Sequence, residues 1–124
     1  MTKFYIENKE EVNKRYRFFK SLVNMSYEEM KKWAKEPCSR VASIKIKEVI
    51  SRVTRLLKKP KETWTLRDYI DSGKVTSYLS RAIKIKDSIK PASKTCPKGK
   101  NYYALKNWAF DRAKQRKKKW IWEN

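Results

Sequence analysis

Apolar residues recur along most of this chain at the three- and four-residue spacing that lines up side chains on one face of an α-helix. Within residues 8–24, Val12, Tyr16, Phe19, Leu22 and Val23 keep that spacing, and Glu10 and Glu11 occupy the first turn, where the helix dipole favours acids. Ser26 with Glu29 is a capping-box pattern, which opens a short second helix carrying Met30 and Trp33 or Ala34 until Pro37 stops it. The clearest pattern spans 39–59, where Ile46, Val49, Ile50, Val53, Leu56 and Leu57 share a face and Pro60 ends the run. The alternation Ile44-Lys45-Ile46-Lys47 leaves a strand at its start as an alternative, because periodicity separates the two poorly over so few residues.

Thr65 and Asp68 resemble another N-cap. Gly73 then interrupts the pattern before Val75, Tyr78, Leu79, Ala82 and Ile83 resume it, so 66–86 reads as two short helices or one bent helix. A helix-turn-helix is a second reading of 64–86, with Asp71-Ser72-Gly73 as the turn and the helix from Lys74 as the reader. Residues 87–101 hold Pro, Gly, small polar residues and lysines without periodicity and read as a long loop. A last helix starts near Asn101, with Leu105, Trp108, Ala109 and Arg112 or Ala113 on one face. These elements predict a mainly α fold, a compact single-domain bundle of about four to six helices over residues 1–113. A basic, Trp-containing tail follows at 114–124.

The hydrophobic fraction of 40% supplies a core of useful size, with Tyr16, Phe19, Trp33, Tyr69, Tyr78 and Trp108 expected in it. No run approaches the roughly 20 uninterrupted apolar residues of a spanning helix, and the N-terminus turns acidic where a signal peptide turns apolar. The expectation is a soluble, intracellular chain with no membrane partner. Cys38 and Cys96 have neither metal spacing nor the density of a disulfide-stapled mini-protein. They read as free thiols in a reducing compartment, with a single long-range disulfide as the alternative.

Charge changes the picture most. The formal net charge is +20, enough for the compact state to repel itself at low salt and to favour a polyanionic partner. The excess is +6 in residues 38–60 and +8 in residues 87–124, the clustering expected of an electrostatic footprint. On the central helix Lys45, Arg52, Arg55 and Lys59 form a basic stripe beside the apolar face, with Ser39, Ser43, Ser51 and Thr54 near it as donors to phosphate. Lys94, Lys98 and Lys100 stand in the long loop, and Arg112, Lys114, Arg116, Lys117, Lys118 and Lys119 spread around the circumference of the C-terminal segment. That spread leaves no apolar side for a membrane interface, and Trp120 and Trp122 are expected to pack on the protein rather than on bases. Lysine outnumbers arginine 24 to 9, which favours point-charge contacts to phosphate over bidentate base reading.

Histidine is absent, which removes the commonest general base and metal ligand. Glu10-Glu11 and Glu28-Glu29 are adjacent pairs that diverge on a helix, so only a spatial convergence of Asp68, Asp71, Asp87 and Asp111 would supply a metal-dependent nuclease. The sequence therefore predicts a non-enzymatic nucleic-acid-binding protein without metal or cofactor. DNA is favoured over RNA, and contacts run mainly to phosphate with low sequence specificity. Nucleoid or nucleus would be its place, or a virion if the chain is viral. The alternatives are an RNA or ribonucleoprotein binder, a viral structural or inhibitory protein meeting an acidic protein surface, and the small nuclease.

Overall fold

The computed structural model describes residues 1–42, 46–86 and 88–114. Among them the helices are α1 (Lys3–Glu7), α2 (Lys9–Leu22), α3 (Tyr27–Ala34), α4 (Ile46–Lys58), α5 (Leu66–Ala82) and α6 (Lys100–Asn107). Two 3-10 turns stand at Pro37–Arg40 and Lys61–Thr63, and the described residues contain no strand. The expected helical bundle is the observed one. Helix α1 escaped the periodicity reading because five residues are too few to set a period; Thr2 starts it by accepting the Tyr5 backbone N–H.

The Ser26 capping box and the Thr65 N-cap both form, the second also as a full capping box. Ser26 exchanges bonds with Glu29 at the start of α3, and Thr65 exchanges them with Asp68 at the start of α5. Helix α5 then runs unbroken for 17 residues through Asp71, Ser72 and Gly73, which rules out the turn of the helix-turn-helix reading. Gly73 has a tertiary reason instead. A Cβ there would lie 2.5 Å from Arg15 Nη1, and the missing side chain lets the α2 guanidinium cross α5. Arg15 Nη1 donates to the Tyr69 carbonyl at 2.8 Å, and the guanidinium covers the Tyr69 ring at 4.2 Å.

Helix α2 packs on α5, and α4 packs on α3 and α5, around a core that includes Val12, Phe19, Met30, Trp33, Val53, Leu56, Trp64, Val75, Leu79 and Leu105. Trp33 and Asn107 stitch the far side. Trp33 Nε1 donates to Asn107 Oδ1 at 2.7 Å, and Asn107 Nδ2 donates to the Ser39 carbonyl at 3.1 Å, so these buried polar groups are satisfied. Ala109 ends α6 in the left-handed region, at φ 68, with Phe110 N–H bonded to Leu105 O and Ala109 N–H to Lys106 O. This is the Schellman arrangement, and the Ala109 carbonyl goes on to accept Asn24 and Met25 N–H groups from the α2–α3 link.

Cys38 and Cys96 are disulfide-bonded across 58 residues, which corrects the expectation of free thiols. Such a bond persists in oxidising settings and fits poorly with the reducing compartment inferred from the sequence. It joins the Pro37–Arg40 turn to the long loop between α5 and α6. That loop is further held by Ala92 N–H to Lys98 O at 2.8 Å and Lys98 N–H to the Tyr103 hydroxyl at 3.1 Å. No helix among the described residues is long and apolar enough to cross a membrane.

Candidate nucleic-acid interface

The basic stripe of α4 faces acids on α5. Asp68 and Asp71 are almost fully buried, at 2% and 1% exposure, and they point at Arg52, Arg55 and Lys59. Arg55 bridges both carboxylates, with Nε 3.0 Å from Asp68 Oδ1 and Nη2 on Asp71 Oδ2. Lys59 closes on Asp68 Oδ2, and Arg67 reaches Asp71 from within α5 at 3.4 Å. The spacing of the two acids, three residues apart on one helix, is what allows one guanidinium to serve both. Arg55 and Lys59 are thus committed to holding α4 against α5. Arg52 is the loosest member, 3.6 Å from Asp71 Oδ1, and its side chain also lines the adjoining groove. Lys45 and Ser43 lie outside the described residues.

Burial by itself pushes the Asp68 carboxyl up, but the bonds from Lys59, Thr65 and Arg55 together outweigh it and hold the group below the ordinary carboxylate value. A depressed folded-state value stabilises the fold above the unfolded value, near pH 4, and that contribution is lost as pH falls through the lower folded value. Urea midpoints are therefore expected to decline below about pH 4, and Asp68→Asn to flatten that decline. An unchanged decline in the variant would place the acid sensitivity elsewhere.

The groove beside this network has a volume of about 560 Å³ and is lined by Arg52 of α4, by Ile70, Gly73, Lys74, Ser77, Tyr78 and Arg81 of α5, and by Trp108 at the end of α6. Lys74 and Arg81 are exposed. Arg81 Nε donates to the Ser77 carbonyl at 3.2 Å, which aims the side chain back along the helix. The Tyr78 and Trp108 rings stack with centroids 4.5 Å apart and planes 20° from parallel. Burial pushes the Tyr78 phenol above its ordinary value, so the ring carries a neutral hydroxyl at neutral pH. No carboxylate stands among the described lining residues.

Ile70, Lys74, Ser77 and Arg81 follow one another at i, i+4, i+7 and i+11, so this face of α5 was legible in the sequence. The apolar stripe on the other side of the same helix dominates the local pattern and masks it. Tyr78 and Trp108, expected in the core, are half-buried and form the groove wall. Their pairing joins two helices, and no local pattern marks it.

A second recess, of about 310 Å³, lies between the Pro37–Arg40 turn and α4, lined by Ala34, Ser39, Arg40, Lys47, Ile50, Ser51 and Thr54. Of its hydroxyls, Ser39 donates to the Glu36 carbonyl and Thr54 to the Ile50 carbonyl, so both protons are used within the fold.

The remaining sites divide. Lys94, Lys98 and Lys100 are exposed on the stapled loop and at the first residue of α6, with Lys98 Nζ 5.7 Å from the Tyr102 ring centroid. Arg112 and Lys114 are turned inward. Arg112 Nη2 donates to the Ile85 carbonyl at 2.9 Å, past the end of α5, while Lys114 Nζ donates to the Asn24 carbonyl at 2.9 Å and pairs with Glu29. The Lys114 bond holds the Glu29 carboxyl below its ordinary value. Arg116, Lys117, Lys118, Lys119, Trp120 and Trp122 lie outside the described residues.

Of the acids that might have converged on a metal, Asp68 and Asp71 do meet, but cations fill the space between them. Asp111 stands apart, accepting the Tyr102 hydroxyl at 3.0 Å, and Asp87 lies outside the described residues. No cluster of three or more His, Cys, Asp or Glu among the described residues is placed to hold a metal ion. Comparison with known proteins returns no match to a family model, a curated protein or a solved structure.

Proposed function

We propose that the chain binds nucleic acid, DNA in the first place, as a non-enzymatic protein that contacts phosphates with low sequence specificity. One observation carries this reading: the groove presents Arg52, Lys74 and Arg81 on one side of the fold with no carboxylate among its described lining. A surface so arranged on a chain of net charge +20 concentrates polyanions, with Lys74 and Arg81 exposed and Arg52 shared with Asp71 at its edge. Lys94, Lys98 and Lys100 are further exposed cations, on the stapled loop and at the first residue of α6.

With Arg55, Lys59, Arg112 and Lys114 held by internal partners, about six phosphate contacts give a slope near −5 for log K against log salt on duplex DNA. Lys74→Ala is expected to lower affinity uniformly across sequences and to make that slope shallower by about 1. Arg55→Lys, which alters a committed side chain, is expected to leave the slope unchanged. Titration of labelled DNA by fluorescence anisotropy across a salt series checks both.

The same titration separates the alternatives. A preference for structured RNA over duplex DNA of equal length would move the partner to RNA. Weak binding to every polymer, together with a defined acidic protein that co-purifies after nuclease treatment, would favour a protein surface or virion component.

A further inference from the structure

We infer that the groove takes a single-stranded segment, with an unpaired base stacked on the Tyr78–Trp108 wall and the flanking phosphates on Lys74, Arg81 and Arg52. This rests on the nucleic-acid reading above and adds the strand class. Phosphate contact alone does not require aromatic lining, whereas a preformed aromatic pair between cations is the combination that single strands use. The bases of a duplex are stacked on one another and offer no free face, so a helical duplex would meet the cations and leave the rings idle.

The pair is already assembled. Tyr78 and Trp108 lie 4.5 Å apart and close to parallel, so a base adds to an existing stack without ordering either ring. Ile70, 45% exposed, gives the groove an apolar edge, and the Ser77 side chain adds a hydroxyl. Arg52 lines the groove while 3.6 Å from Asp71 Oδ1, so a phosphate there would share its guanidinium with Asp71, which Arg55 and Arg67 also hold. Stacking of this kind tolerates any base, which agrees with low sequence specificity.

The test compares a labelled oligo-dT with a duplex of matched length, using the full chain, Trp108→Leu, Trp108→Phe and Lys74→Ala. The expected result is tighter binding of oligo-dT, with a loss of roughly five- to 150-fold in Trp108→Leu for the single strand and less than about twofold for the duplex. Trp108→Phe should restore most of the loss. Trp108→Leu should keep the salt slope while Lys74→Ala makes it shallower by about 0.7 on the single strand, which separates stacking from charge.

Because Trp108 also caps α6, the wild-type chain provides a second readout that needs no substitution. Photocrosslinking to oligo-dT carrying 5-iodouracil should map to Tyr78 or Trp108. Crosslinks only elsewhere, or equal losses on both polymers in a folded Trp108→Leu chain, would overturn the inference. Duplex binding with no binding of oligo-dT would overturn it and leave the nucleic-acid reading standing; binding of neither would remove both.

Discussion

Asp68→Ala is expected to lower the unfolding free energy by about 3 kcal/mol, measured by urea denaturation at pH 7. Two losses combine in that figure. The side chain closes the Thr65 capping box, worth about 1 kcal/mol, and it neutralises Lys59 and half of the Arg55 bridge. Removing one partner from a buried pair costs about 3–5 kcal/mol when the other charge is stranded. The cations here retain 29% and 41% side-chain exposure and reach water, which places the expected loss at the low end. Asp68→Asn keeps an oxygen for the Thr65 N–H and removes the charge, so its expected cost is about 2 kcal/mol, the difference between the two variants being the cap. A loss below about 1 kcal/mol in Asp68→Ala would mean that the network sets geometry without contributing to stability.

Reduction of Cys38–Cys96, or its replacement by Cys38→Ser with Cys96→Ser, is expected to cost about 4 kcal/mol. The bond closes a loop across 58 residues, and chain entropy makes closure of a loop this long one of the larger contributions a single crosslink supplies. Urea midpoints with and without reductant measure the loss, with thiol titration to confirm opening. Lys94 and Lys98, exposed beside Cys96, should become faster sites of tryptic cleavage once the staple opens. Coincident midpoints for the oxidised and reduced chains would show that the other loop bonds hold this segment alone.

Both features explain where sequence reading stops. Helices α2, α3 and α5, and the caps of α3 and α5, were legible because the signals are local: three- and four-residue spacing, and an N-cap hydroxyl with an acid three residues on. Gly73 misled for the opposite reason. Its local meaning is a break, and its actual meaning is the passage of Arg15 from a helix 58 positions earlier in the chain.

The stripe on α4 follows the same logic. Arg52, Arg55 and Lys59 share a face as their spacing requires, but the periodicity of α4 cannot say that Asp68 and Asp71 of α5 lie opposite. A buried acid pair on the next helix turned much of a presumed phosphate contact into an interhelical tie. Conversely, Lys74, Ser77 and Arg81 carried a readable spacing that the apolar stripe overshadowed. The Cys38–Cys96 pairing, like the Tyr78–Trp108 stack, is a property of closure in space and leaves no mark on sequence spacing.

The most direct test of the central claim is the salt dependence of DNA affinity for the full chain beside Lys74→Glu with Arg81→Glu, two exposed positions whose reversal leaves the core untouched. The expected result is a steep wild-type slope, near −5, and at least a tenfold loss in the double variant at moderate salt. A wild-type slope shallower than about −2, or a double variant that binds as the wild type does, would contradict nucleic-acid binding through this groove.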